Sequence, residues 1–345
     1  MIRWGWAEPP ADGLHAPGRA GGDRTAAASC RFWYRLFGPN SLEPVEDRGG
    51  PSAMYSGLVS YPGRAYNPGR GHTRRKARQA HRMANVYYVD GNFVPDAEAV
   101  FPINDLGLLR GYGCFDFMRT YRGKVIFIKD HVQRLFRSAH EIGLELPWTE
   151  TEIADLVQET LRRNPPVESS VRVLVTGGPS PDFITPQGKP RIAIMVSPLS
   201  QYPPGWYAEG ARIITVPYSR PIPGAKSIDY IRAILVLAEA RRKGAIEAAY
   251  VDATGSVREG TTSNVFAFQD GTLVTPDRDI LHGITRGKVL ALADERFPVA
   301  KREILRAELV AADEVFITSS NRLIVPIVRV DEDVIGAGAP GPRTR

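Results

Sequence analysis

Thiols are almost absent. The 345 residues contain two cysteines, Cys30 and Cys114. A disulfide framework needs several pairs, and a thiolate zinc site needs C-x-x-C spacing, so neither organises this chain. Long apolar runs are missing too. None approaches the ~18 residues that a bilayer-spanning helix requires. The start, Met1-Ile2-Arg3-Trp4-Gly5-Trp6, lacks the apolar stretch of a secretory signal. These absences predict a protein of the reducing cytoplasm with no membrane segment. Over most of the length there is also little surplus charge. Of 44 Lys+Arg and 38 Asp+Glu, residues 1–82 hold 13 and 6, leaving 31 and 32 for residues 83–345. The basic character belongs to the leader.

That leader has a composition of its own. Gly and Pro make up 20 of its 82 residues, against 41 of the remaining 263, and no helical or strand period persists in it. Such a segment buries too little apolar surface to offset its ordering entropy, so residues 1–82 are expected to be disordered. Arg74-Arg75-Lys76-Ala77-Arg78, downstream of the aromatic patch Arg31–Phe37, has the charge of a nucleic-acid-binding arm. A solvated leader explains it more simply, and nucleic acid is not the expected partner. An alternating strand pattern begins just after Met83, so Met83 is expected to be the natural start and 1–82 to be translated upstream sequence.

The body alternates helix and strand signals. Val86–Val89 and Val94 flank Asp90-Gly91-Asn92, a hairpin. Val125–Ile128 reads as a buried strand. A helix capped by Asp130 follows, with Val132, Leu135, Phe136 and Ala139 on one stripe and an end near Gly143. A second helix covers about 150–163, and strands fall at 171–175 and 191–196. Tyr202-Pro203-Pro204-Gly205 breaks the pattern and predicts a small α/β domain over 83–200, an interdomain loop at 201–208 and a larger domain over 209–345. The second half reads as a strand at 211–216 and a helix at about 229–243. The apolar face of that helix would be Ile231, Ile234, Leu235 and Ala238. Strands at 248–252, 264–268 and 272–275, a helix after Gly283, and strands near 314–318 and 325–330 complete it.

A few side chains stand out chemically. The body has only seven lysines. Lys226, after Pro223-Gly224-Ala225 and ahead of the long helix, is placed where an amine can be buried, hence a candidate Schiff-base nucleophile; taken alone it reads more simply as an ordinary loop lysine. Glu259, in Glu259-Gly260-Thr261-Thr262-Ser263-Asn264 between two strands, points either into a site or at water. Gly283-Ile284-Thr285-Arg286 opens a helix, where free N–H groups and a hydroxyl favour an anion or simply cap. Thr318-Ser319-Ser320-Asn321 offers more hydroxyls after a strand. Arg134, in His131–Leu135, is a phosphate fork or a surface charge.

In register, these segments resemble the class IV (fold-type IV) pyridoxal-phosphate aminotransferases, which include branched-chain and D-amino-acid aminotransferases and aminodeoxychorismate lyases. The resemblance runs from Val86 onward. It rests on Tyr88-Val89-Asp90-Gly91, Arg110–Asp116, His131–Leu135, Lys226, Glu259–Asn264, Gly283–Thr285 and Asp313–Phe316. It implies a two-domain α/β (α+β) fold with the cofactor at the domain interface, and a homodimer. Lys226 would hold the cofactor as an aldimine in a ping-pong transamination, and Glu259 would accept the pyridine N–H. Arg134, Ile284, Thr285, Ser319 and Ser320 would take the phosphate, and Tyr230 would face the phenolic oxygen. Relatives continue with a terminal helix, so the 209–345 domain is expected to lack it.

Substrates implied are an amino acid and a 2-oxo acid: a branched-chain L-amino acid with 2-oxoglutarate. Phe115, Phe117 and Met118 suggest an apolar pocket, and Arg119 a carboxylate partner. Asp116 replaces a glutamate common beside that strand. Gly177–Pro186 lacks the R-x-H trap of well-known D-amino-acid aminotransferases, although a group without it keeps that reading open. A lyase acting on aminodeoxychorismate, and a basic nucleic-acid-binding protein acting through 1–82, are the remaining alternatives.

Overall fold

The structure is a computed structural model that describes residues 85–345. The expectations for 1–82, its disorder and its basic arm, lie outside the described residues.

From Val86 the chain builds a six-stranded antiparallel sheet. Asn92–Pro95, Val86–Val89 and Arg191–Pro198 lie side by side, followed by Ser169–Thr176, Gly113–Tyr121 and Lys124–Val125. The Asp90-Gly91 turn has φ of 43° and 96°, the handedness that matches strand twist. Two helices cover one face. Ile128–Glu141 buries Val132, Leu135 and Ala139, and Glu150–Arg162 buries Ile153 and Val157. Both contribute to one apolar core with Met118, Val171, Val173 and Ile194. The second helix opens on a reciprocal cap: Thr149 Oγ1 accepts the Glu152 N–H at 3.2 Å, and the Glu152 carboxylate accepts the Thr149 N–H at 2.7 Å.

One expectation fails here. Only Lys124–Val125 pairs as a strand. Phe127 turns left-handed (φ 54°) and the helix begins at Ile128, so Asp130 lies in its first turn rather than at its cap. A short apolar run does not distinguish a buried strand from a helix entrance. The positive-φ turn at Arg122-Gly123 allows two residues of pairing before the helix takes the chain.

Residues 211–334 form a mixed ten-stranded sheet. Its order begins Val299–Lys301, Thr272–Thr275, Asn264–Gln269, Glu314–Ser319 and Leu323–Val330. It continues through Ala211–Pro217, Glu247–Val251, Ser256–Gly260 and Ile304–Leu305, with Asp333–Val334 paired to Leu323–Val330. Ile213, Val265, Ile317 and Val325 centre its core. The helix Ile284–Ala293 packs beside Phe266, Phe268 and Phe316.

The helix Ile231–Arg242 corrects the sequence reading of its face. Ala233, Val236 and Ala240 are buried, with Val236 and Ala240 packed beside Ile214, Val216 and Ala248. Ile231, Ile234 and Leu235 are 72%, 65% and 60% exposed, and Ala238 is exposed as well. Both faces are apolar, and the one with small side chains lets the helix approach the sheet most closely. No helix among the described residues is long and apolar enough to cross a membrane.

Candidate active site

The site forms where the segment before this helix is stitched to the first sheet. The Phe115 N–H donates to Lys226 O at 3.0 Å, and the Ile228 N–H donates to Gly113 O at 3.1 Å. A Cβ at residue 113 would lie 2.5 Å from Val175 O and 3.0 Å from Ile228 Cδ1, so this approach requires glycine. The Lys226 N–H donates to Ser138 Oγ at 3.0 Å. The backbone of Lys226 is thus held from both sides, and its ammonium sits 4.6 Å from the Phe115 ring centroid.

Lys226 opens onto a cavity of about 870 Å³. Phe115 and Phe117 line it, because residues 113–121 alternate: Cys114, Asp116 and Met118 are buried on the opposite side. Met118 therefore belongs to the core, not to a pocket. Tyr230 also lines the cavity, its ring 5.5 Å from that of Phe115. Glu259 lies in a strand, Ser256–Gly260, rather than in the turn expected for it. It is 4% exposed, and its carboxylate accepts an Arg220 N–H at 2.9 Å and the Leu281 N–H at 2.9 Å. Burial pushes its pKa up, and Arg220, the Leu281 N–H and Lys226 only partly oppose that. Arg220 also donates to Pro223 O at 3.0 Å and to Ala225 O, tying Glu259 to the loop before Lys226.

An anion-accepting wall faces the same cavity. Arg134 Nε and Nη2 each lie 2.8 Å from Asp116 oxygens, which leaves Nη1 without a partner among the described residues. Asp116 is thus a tether for Arg134, not a pocket group. Its burial raises the pKa, but the Arg134 charge and His131, whose Nδ1 is 2.7 Å away, hold it well below the usual carboxylate range. Ile284 and Thr285 open a helix whose first N–H groups have no intrahelical partner. Gly283 precedes them, where a Cβ would collide with Asn264 Oδ1. The two serines differ. The Ser319 hydroxyl is engaged inside its turn, 2.8 Å from Asn321 Oδ1, whereas Ser320 makes no side-chain bond among the described residues. Thr318 Oγ1 beside them is buried with no partner among the described residues, and all three residues line the cavity.

Arg119 is not brought there. It lies further along its strand, in the field of Glu168, Tyr207 and Tyr202. Three arginines the sequence reading missed do line the cavity, Arg232 among them. One is Arg220. Another is Arg172, exposed on the strand paired with Phe117, its guanidinium 5.3 Å from the Phe115 centroid and without an ion pair among the described residues.

Comparison with known proteins decides the family. The model for amino-transferase class IV matches residues 113–330.

The chain belongs to the class IV aminotransferases.

It is 37% identical over 268 residues to a Methanocaldococcus jannaschii protein provisionally named a branched-chain-amino-acid aminotransferase, covering 75% of this chain and 92% of that one. It is 32% identical over 266 residues to a Staphylococcus epidermidis D-alanine aminotransferase, with 75% and 93% covered. Among solved structures, a branched-chain amino acid aminotransferase from T.th., complexed with N-(5'-phosphopyridoxyl)-L-glutamate, superposes with a TM-score of 0.70 at 29% identity. That match covers 76% of this chain and 90% of the other. Aminotransferases of this class depend on pyridoxal phosphate. The protein is an enzyme of the fold-type IV architecture.

Proposed function

We propose that this aminotransferase moves an amino group between a branched-chain L-amino acid and 2-oxoglutarate, using pyridoxal phosphate held by Lys226. The observation that carries the reading is that one cavity is lined by the Lys226 amine, the buried Glu259 carboxylate and a wall of groups able to donate to an anion. That donor set suits a phosphorylated pyridine ring. Arg134 Nη1, the N–H groups of Ile284 and Thr285, and the Ser320 hydroxyl would take the phosphate. Thr318 Oγ1 is a buried hydroxyl whose missing bond such a ligand could complete. Glu259 would receive the ring N–H, and Tyr230 would face the phenolic oxygen.

When bound, the cofactor supplies an electron sink that makes the substrate Cα–H acidic. Lys226 removes that proton and returns it, held in place by its two backbone bonds. Phe115 and Phe117 exclude water from the amine and offer an apolar surface to an aliphatic side chain. We assign to Arg172, rather than Arg119, the distal carboxylate of 2-oxoglutarate, since its guanidinium lines the cavity without an acidic partner among the described residues.

Mixing cofactor-loaded enzyme with single amino acids tests this. L-leucine should convert the cofactor absorbance to that of the pyridoxamine form; conversion by D-alanine alone would replace the proposal with the D-amino-acid reading. In the same assay Arg172→Leu should raise KM for 2-oxoglutarate about tenfold or more and change that for L-leucine little. An equal rise for both would remove Arg172 from this role.

The exposed face of Ile231, Ile234 and Leu235 supports a homodimer. Ile231 and Leu108, 72% and 63% exposed, line the cavity, so an apolar surface continues from the site onto the exterior. Sedimentation should give twice the chain mass and Leu235→Glu a smaller species; a wild-type monomer at micromolar concentration would contradict the dimer.

A further inference from the structure

A buried ion pair outside this chemistry joins two turns that wall the cavity. Glu247 has no exposed surface, and Arg322, 5% exposed, closes the turn that carries Ser319 and Ser320. Arg322 Nη2 lies 2.6 Å from Glu247 Oε2 and 2.6 Å from Thr262 Oγ1, and its Nε lies 3.4 Å from Ser319 Oγ. The same carboxylate accepts the hydroxyls of three consecutive residues: Thr261, Thr262 at 2.7 Å and Ser263 at 3.2 Å. Burial raises the Glu247 pKa, but the Arg322 charge and these hydroxyls more than reverse the shift, so Glu247 is ionised at neutral pH. Neither Glu247 nor Arg322 lines the cavity, whereas Thr261, Thr262, Ser263, Ser319 and Ser320 all do.

Fold stability alone does not call for such a pair, because apolar residues of similar volume often replace a buried ion pair without loss. What apolar residues cannot do is direct three hydroxyls and one turn toward a single point. We propose that Glu247 and Arg322 are positioning residues that set the 261–263 turn against the 319–322 turn, and so aim Ser320 at the phosphate of the bound cofactor. The inference rests on the reading above that a phosphorylated cofactor occupies this cavity. Arg322 acts through its fork, which reaches Glu247, Thr262 and Ser319 together; a lysine would keep the charge and lose the geometry.

The test compares pyridoxamine 5'-phosphate with pyridoxamine, titrated by fluorescence into the cofactor-free full chain. Glu247→Met with Arg322→Met should melt near wild type yet bind the phosphorylated ligand about tenfold or more weakly, with the unphosphorylated one little affected. Arg322→Lys should lie between wild type and the double variant, and decides by the same criteria should the double variant fail to fold. Wild-type affinity for the phosphorylated ligand, or equal losses for both ligands, would overturn the proposal. A wild-type protein that binds neither ligand would overturn the cofactor reading and this inference with it.

Discussion

Asp116→Asn should lower the melting temperature of the cofactor-free protein by roughly 10 °C. Asp116 is wholly buried and takes two Arg134 hydrogen bonds and one from His131. Removing one partner of a buried ion pair leaves an uncompensated charge, at about 3–5 kcal/mol. In a protein of this size, each kcal/mol moves the midpoint by about 2–4 °C. The asparagine still accepts one bond, but its amide hydrogens face the guanidinium. The pH dependence has a definite sign. The folded carboxyl binds a proton less readily than the unfolded one, so its contribution is full above the ordinary value of 3.8 and is lost as pH falls below it. Wild type should lose stability through that acid range, and the variant should show a shallower slope. Cofactor affinity should fall too, because Arg134 keeps at most one of the two bonds that aim it. An unchanged melting temperature, measured calorimetrically at neutral pH, would count against Asp116 as the tether.

Lys226→Ala should reduce turnover by at least about 10³-fold. A positioned acid–base group contributes about 10²–10⁴, and this residue also makes the covalent attachment. The fold should survive, since Lys226 is half-buried and its bonds to Ser138 and Phe115 are made by backbone atoms that alanine keeps. Steady-state kinetics with L-leucine and 2-oxoglutarate measure the effect. A variant within tenfold of wild type would contradict the role given to the amine.

The elements most legible in the sequence carry local signals. Asp90-Gly91 demands a hairpin, the Thr149/Glu152 pair opens a helix, and Gly283 precedes the helix that presents Ile284 and Thr285. Ten of the twelve side chains singled out for the site line one cavity; Arg119 and Met118 do not. What the sequence hid depends on partners distant in the chain. Ser256–Gly260 does not look like a buried strand because it holds Arg258 and Glu259. Those charges become tolerable only against Asp252, Glu303 and Arg220. Arg220 has no local motif; its role appears only once Glu259 lies beside it. Arg172 was recoverable, since burial of Val171, Val173 and Val175 puts it on the face shared with Phe115 and Phe117. The helix 231–242 misled because both its faces are apolar, and periodicity cannot say which one meets the sheet.

The most direct measurement is chemical. Cofactor-loaded wild-type protein is reduced with borohydride, digested and mapped by mass. The account predicts a phosphopyridoxyl group on Lys226, blocked when the amine has been replaced. A label found on another lysine, or none on Lys226, would contradict it.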